Sequence, residues 1–167
     1  MQLGHVALAA TIASYAEPIT GWTGVSVSNF STEALLIAYI AHWLPNLDVL
    51  LIWPKIMPDS FHCTWSHSLI FVLLVGLILW PFNVAWAILA VVSLIFHMLA
   101  DMPSSVGLPL FMPSKKRFTF KLWADTGHSG WFALRSTYEQ SWTWILEGAT
   151  FLFLFVRMYQ CQVWPFA

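Results

Sequence analysis

Charge is the first thing this sequence lacks. Seven Lys or Arg and eight Asp or Glu make 9% of its 167 residues charged, against roughly a quarter in an ordinary soluble domain. A net charge of −1 leaves no basic face for a phosphate backbone, so nucleic acid is excluded as a partner. Cysteine is nearly absent too. Cys63 and Cys161 are too few for a disulfide framework and stand in no C-x-x-C spacing. No segment repeats another, and the length suits a single domain, 1–167.

What fills the space is apolar. Such residues make up 59% of the chain, with 11 Trp and 13 Phe, and the mean hydropathy is +0.70. Residues 34–53 (ALLIAYIAHWLPNLDVLLIW) match the roughly 20 apolar residues that cross a bilayer, with Pro45 expected to break the helix. Further spans are read at 68–82, closing on the turn Pro81-Phe82-Asn83, at 84–101 and at 142–159. Residues 3–16 form another apolar helix, too short to cross upright. Ser14-Tyr15-Ala16 resembles a signal-peptide cleavage site, but no Lys or Arg precedes the run, so a retained helix is the expectation. The fold class is therefore all-α: a polytopic membrane helix bundle of about four transmembrane helices plus a shorter N-terminal helix.

The basic residues orient that bundle. Lys115, Lys116, Arg117, Lys121 and Arg135 fall in the polar connection at 103–140, which the positive-inside rule puts in the cytoplasm. The ends of the spans that carry His5, His62, His67, His97 and Asp101 then face the same side. His42 and Asp48 lie deeper, near the Pro45 break, where an opened helix can line a cavity.

Those polar residues carry the chemistry, since ionisable groups in hydrophobic segments are costly and mark function by default. His97 and Asp101, four apart, leave one helix face and suit a shared ion. Each element alone also has a plain reading: a satisfied buried pair, interfacial histidines at His62 and His67, a capped kink at His42 and Asp48. Together His5, His42, Asp48, His62, His67, His97 and Asp101 supply ligands for one or two divalent ions, and they are expected to converge. Asn46, Ser66 and Ser68 suit a second layer orienting the imidazoles. Cys63 is either a soft ligand or a packed thiol. Lys115, Lys116 and Arg117 read as contacts for an anionic headgroup or as a topology anchor. His128 reads as a solvated loop residue or a cap on the site. Trp43, Trp53, Trp65 and Trp142 read as interfacial belt residues.

Four motifs in order carry a resemblance. They are Gly4-His5, Pro45-Asn46-Leu47-Asp48, His62-Cys-Thr-Trp-Ser-His67-Ser68, and His97-x-x-x-Asp101 followed by Gly107 and Pro113. Over roughly residues 1–120 the chain resembles the YdjM-like family, LexA-regulated inner-membrane proteins described as metal-dependent hydrolases. It departs from the family pattern at Asn46, where that pattern has Asp, at Cys63 and Thr64, where it has Arg-Gly, and at Ser66, where it has Thr. The resemblance implies a multi-pass protein of the bacterial inner membrane and a hydrolase.

The expected mechanism follows from the donor set. Asp48, Asp101 and His67 would be the central catalytic groups around zinc or manganese, one or two ions per chain, activating water against a phosphoester or lipid-like substrate. Membrane lipid and an amphiphilic substrate are the expected partners, with oligomerisation left open. The alternatives are a metal-ion or proton transporter and a non-catalytic scaffold stabilised by metal. Spans two and three lack charge through their outer halves, which favours a closed site over a conduit.

Overall fold

The structure, a computed structural model, describes residues 2–58, 61–104, 107–122 and 138–163. Those residues form helices and turns, with one isolated antiparallel bridge between Leu108 and Phe118. The helices are α1 (Gln2–Ala13), α2 (Ala16–Thr20), α3 (Thr32–Trp43), α4 (Val49–Ile52), α5 (Leu69–Leu79), α6 (Val84–Asp101) and α7 (Ser141–Gln160).

Local chemistry sets the ends of these helices. The Ser31 hydroxyl accepts from Ala34 N at the start of α3, Ser68 accepts from Phe71 N at α5, and Asn83 Oδ1 accepts from Ala85 N and Trp86 N at α6. Each such cap contributes about 1 kcal/mol by satisfying a donor the helix leaves open. Pro45 acts as expected. The α-helix stops at Trp43, and a 3-10 turn, Leu44–Asp48, with Pro45 in its first positions leads into α4.

α6 is the central element, packed on α3 and α5, while α1 packs on α3, α6 and α7. Small side chains permit the close approach. Ala34, Ala38 and Ala85 are fully buried in the cluster where α1, α3 and α6 meet, the small-residue contact that membrane helices favour. Gly76 does the same between α5 and α6, because a Cβ there would lie 2.8 Å from Val91 Cγ2. The far end of α1 is clasped by α7. Arg157 donates to the Ser14 carbonyl (2.8 Å) and to Ser14 Oγ (3.3 Å), and its guanidinium sits 3.8 Å from the Tyr15 ring centroid.

The outer surface is apolar. Leu36, Ile40, Leu50, Leu73, Leu77 and Ile78 are exposed. Trp53, Trp65 and Trp142 are exposed as well.

Two stretches are long and apolar enough to cross a membrane alone, Thr32–Ile52 and Val84–Asp101. The expected count of four is therefore not reached by length and hydropathy among the described residues. The second apolar run loses residues to the Ser68 cap and to the turn after Leu79. That leaves an 11-residue helix, about 16 Å long against a hydrocarbon core of about 30 Å. α7 has the length, but Glu147 and Arg157 lower its hydropathy. In the polar connection, Gly107 adopts φ +69° and a Cβ there would lie 2.9 Å from the Phe118 carbonyl oxygen, so the Leu108–Phe118 bridge needs glycine there. Arg135 and His128 lie outside the described residues.

Candidate metal centre

The motif residues come from five places in the chain. α1 supplies His5, the last turn of α3 supplies His42, and the Pro45 turn supplies Asp48. The connector before α5 supplies His62, Cys63, Ser66 and His67, and the last two turns of α6 supply His97 and Asp101. His42, His67 and His97 are fully buried, and His5 and Asp48 nearly so.

Short polar contacts link them, and the tautomers at each end can be read from a fixed acceptor. His42 Nδ1 meets the Ser93 carbonyl at 3.0 Å; a carbonyl only accepts, so Nδ1 carries the proton and Nε2 the lone pair. His5 must then donate from Nδ1 to His42 Nε2 (2.8 Å); a neutral ring so fixed turns a lone pair from Nε2 toward Asp101 Oδ1 at 3.0 Å, and that contact is a hydrogen bond only when the ring carries both protons. The far end of the chain is fixed in the same way. Ser66 Oγ donates to Asp48 Oδ2 (3.2 Å) and so accepts from His67 Nδ1 (3.0 Å), turning the lone pair of His67 Nε2 inward. Backbone carbonyls and carboxylates orient metal-binding imidazoles in this way.

The two halves meet at a triangle. His67 Nε2 and His97 Nε2 are 3.4 Å apart, and Asp101 Oδ2 lies 3.2 Å from His97 Nε2 and 3.7 Å from His67 Nε2. Ligands about 2.0–2.1 Å from a tetrahedral zinc stand about 3.4 Å from one another, so the triangle has the size of one face of such a site. His97 Nδ1 is buried with no hydrogen-bond partner among the described residues. Burial and then the neighbouring His97 hold His67 well below its ordinary pKa, which keeps its ring neutral and able to ligate. Two neutral imidazoles and a carboxylate fit a divalent ion. The Asp101 side chain is 22% exposed where those of His67 and His97 are sealed, so the site opens to solvent at the carboxylate.

Among the described residues, three groups of side chains bring ligand atoms within 4.8 Å of one another: His67, His97 and Asp101; His5, His42 and His97; and His62, Cys63 and His67. Asp48 belongs to none of them. Both its oxygens face His62 Nδ1, at 2.9 and 3.1 Å. Burial pulls His62 down, but the Asp48 hydrogen bond and the adjacent Cys63 outweigh it and raise His62 to about 10.

The remaining sequence candidates fall as follows. Ser66 sits within the chain of hydrogen bonds, but Ser68 donates to the Trp65 carbonyl and caps α5, reaching no imidazole. Asn46 is half-buried on the Pro45 turn and joins none of the cluster's hydrogen bonds. Lys115 and Lys116 are exposed, with Lys116 Nζ 5.2 Å from the Phe118 ring centroid. Arg117 donates to the carbonyls of Gly107 (3.0 Å) and Cys63 (3.3 Å), which pins the basic turn onto the histidine connector. Sequence reasoning missed the Ser93 carbonyl, because a backbone acceptor in mid-helix leaves no residue-type signal.

The model of the family described as YdjM inner membrane protein matches residues 1–164. The chain belongs to that family. No curated protein and no solved structure matches it. For this YdjM protein the match extends past the four motifs into α7, whose last residue is Gln160.

Proposed function

We propose that this YdjM protein is a multi-pass, membrane-embedded, metal-dependent hydrolase acting on a phosphoester or lipid-like substrate at the cytoplasmic face. One observation carries the reading: His67 Nε2, His97 Nε2 and Asp101 Oδ2 form a triangle with edges of 3.2–3.7 Å at a site that is buried except at the carboxylate. That geometry favours zinc over manganese, which prefers octahedral oxygen sites. His67, His97 and Asp101 would hold a divalent ion, which would supply a lowered water pKa and a polarised phosphoryl oxygen.

The chain's own residues supply the rest. Asp101 brings the negative charge to the site, and His5 Nε2 lies 3.0 Å from its second oxygen. His5, His42 and His97, whose ligand nitrogens lie within 4.8 Å of one another, would hold a second ion. His62, held by Asp48, can give a proton to a leaving oxygen from a partly open position. Arg117, with Lys115 and Lys116 on the same turn, can hold an anionic headgroup at the mouth. The apolar outer surface lets a lipid substrate arrive sideways. A transport path needs polar groups through the whole bilayer thickness, whereas these gather at one end of α6.

The test is metal analysis of the detergent-purified protein, followed by a phosphoester and lipid hydrolysis panel. The expected result is at least one bound divalent ion and a hydrolysis that chelation stops. Asp101→Ala is expected to abolish turnover while keeping the helical circular dichroism of the wild type. Turnover that survives both chelation and Asp101→Ala overturns the reading.

A further inference from the structure

Cys63 stands in the middle of the metal centre, and neither the hydrolytic site nor the family pattern gives it a role. It is half-buried, and its backbone is held at φ +55°, a left-handed conformation that costs a residue with a Cβ and collects at functional sites. The conformation is held from both sides. The Cys63 carbonyl accepts from Arg117 on the basic turn, and its thiol is hydrogen-bonded to His62. Its sulfur lies within 4.8 Å of ligand nitrogens of both His62 and His67. The other thiol, Cys161, follows the last turn of α7 and belongs to no such group.

We infer that His62, Cys63 and His67 form a second, thiolate-containing metal position that competes with the Asp101 position for His67. Ser66 holds Nδ1 of His67 at 3.0 Å, so the ring has one nitrogen to give, and both groups need it. The two positions differ in character. The Asp101 position offers two imidazoles and a carboxylate, while the Cys63 position offers two imidazoles and a sulfur, which draws soft ions such as cadmium, copper(I) and zinc. Binding releases two protons to solvent: one from the S–H bond, whose sulfur electron pair forms the metal–sulfur bond, and one from His62 Nε2, which frees that lone pair while Nδ1–H stays on Asp48. A soft ion seated at Cys63 therefore takes His67 away from the hydrolytic site, whereas a hard ion leaves it there. The inference rests on the same cluster as the proposed hydrolase but not on hydrolysis itself.

Cobalt(II) titration of the whole protein in detergent, with a phosphine reductant, tests it by absorbance. A thiolate ligand gives a sulfur-to-cobalt charge-transfer band in the near ultraviolet, and carboxylate and imidazole ligands do not. The expected result is a band in the wild type that disappears in both Cys63→Ser and Cys63→Ala and persists in Asp101→Ala. Cadmium affinity is expected to fall in Cys63→Ser by at least the ~10-fold that loss of even an outer-sphere partner costs, with manganese affinity unchanged. The absence of a band in the wild type, or its survival in the Cys63 variants, overturns the inference. Loss of the band in Asp101→Ala also overturns it, because sulfur and carboxylate would then share one ion. A hydrolase inactive on every substrate would leave these spectra as they are, so the two readings fail separately.

Discussion

His42 on α3 donates its Nδ1 proton to the carbonyl oxygen of Ser93 on α6 across 3.0 Å, so the backbone of one helix sets the tautomer of an imidazole on another. The Ser93 side chain takes no part: its hydroxyl is buried without a partner. Ser93→Ala is therefore expected to leave metal content unchanged and the melting temperature equal or higher, since it removes an unsatisfied polar atom. His42→Ala is expected to weaken metal binding on the order of 10–100-fold, because His5 loses the acceptor that aims it at Asp101. Chelator competition on both variants measures this; equal effects would show that the side chain of Ser93, and not its carbonyl, matters.

Gly76 marks the closest approach of α5 to α6. A Cβ there would meet Val91 Cγ2 at 2.8 Å, and a valine in a helix is stiff at χ1. Gly76→Ala is expected to destabilise the pair by about 1–3 kcal/mol, the usual cost of overpacking. Unfolding in mixed detergent would measure it, and an unchanged midpoint would mean that the helices can part without loss.

The His62–Asp48 pair makes the metal-free protein sensitive to alkali. The folded-state value of His62, about 10, is above its ordinary value of about 6.5. The pair's stabilisation is then fully present below about pH 6.5 and lost as the pH rises through about 10. The metal-free wild type is expected to lose thermal stability progressively over that window, and His62→Gln to show a flatter profile. A His62→Gln profile parallel to the wild type would assign the slope to other groups.

The sequence shows where the cluster forms but not how it divides. His5, His42, His62, His67, His97 and Asp101 stand out because each breaks an apolar run near a segment end, and the structure gathers them. Asp48 has the same signature, yet its oxygens turn to His62, because a 3-10 turn after Pro45 aims the side chain and spacing alone cannot give that angle. Ser66 and Ser68 look alike in sequence. Two residues of chain direction separate a hydroxyl between His67 and Asp48 from one that caps α5. The helical class and the Pro45 break follow from composition and ring sterics. The four-span count did not, because hydropathy windows ignore the caps and turns that shortened α5 to 11 residues.

The clasp on α1 bears on the order in which the centre is made. His5 sits near one end of that helix, and the other end is fastened by Arg157, 143 residues downstream of Ser14. While the ribosome is still extending the chain, α1 can rest on α3 and α6, but the fastening that stops it from sliding lengthwise has not been synthesised. A slip of one residue moves the His5 ring by about 1.5 Å along the helix axis and turns it about 100° around that axis, enough to break its contact with Asp101. Until α7 arrives, the register that aims His5 at Asp101 rests on the packing of α1 against α3 and α6 alone.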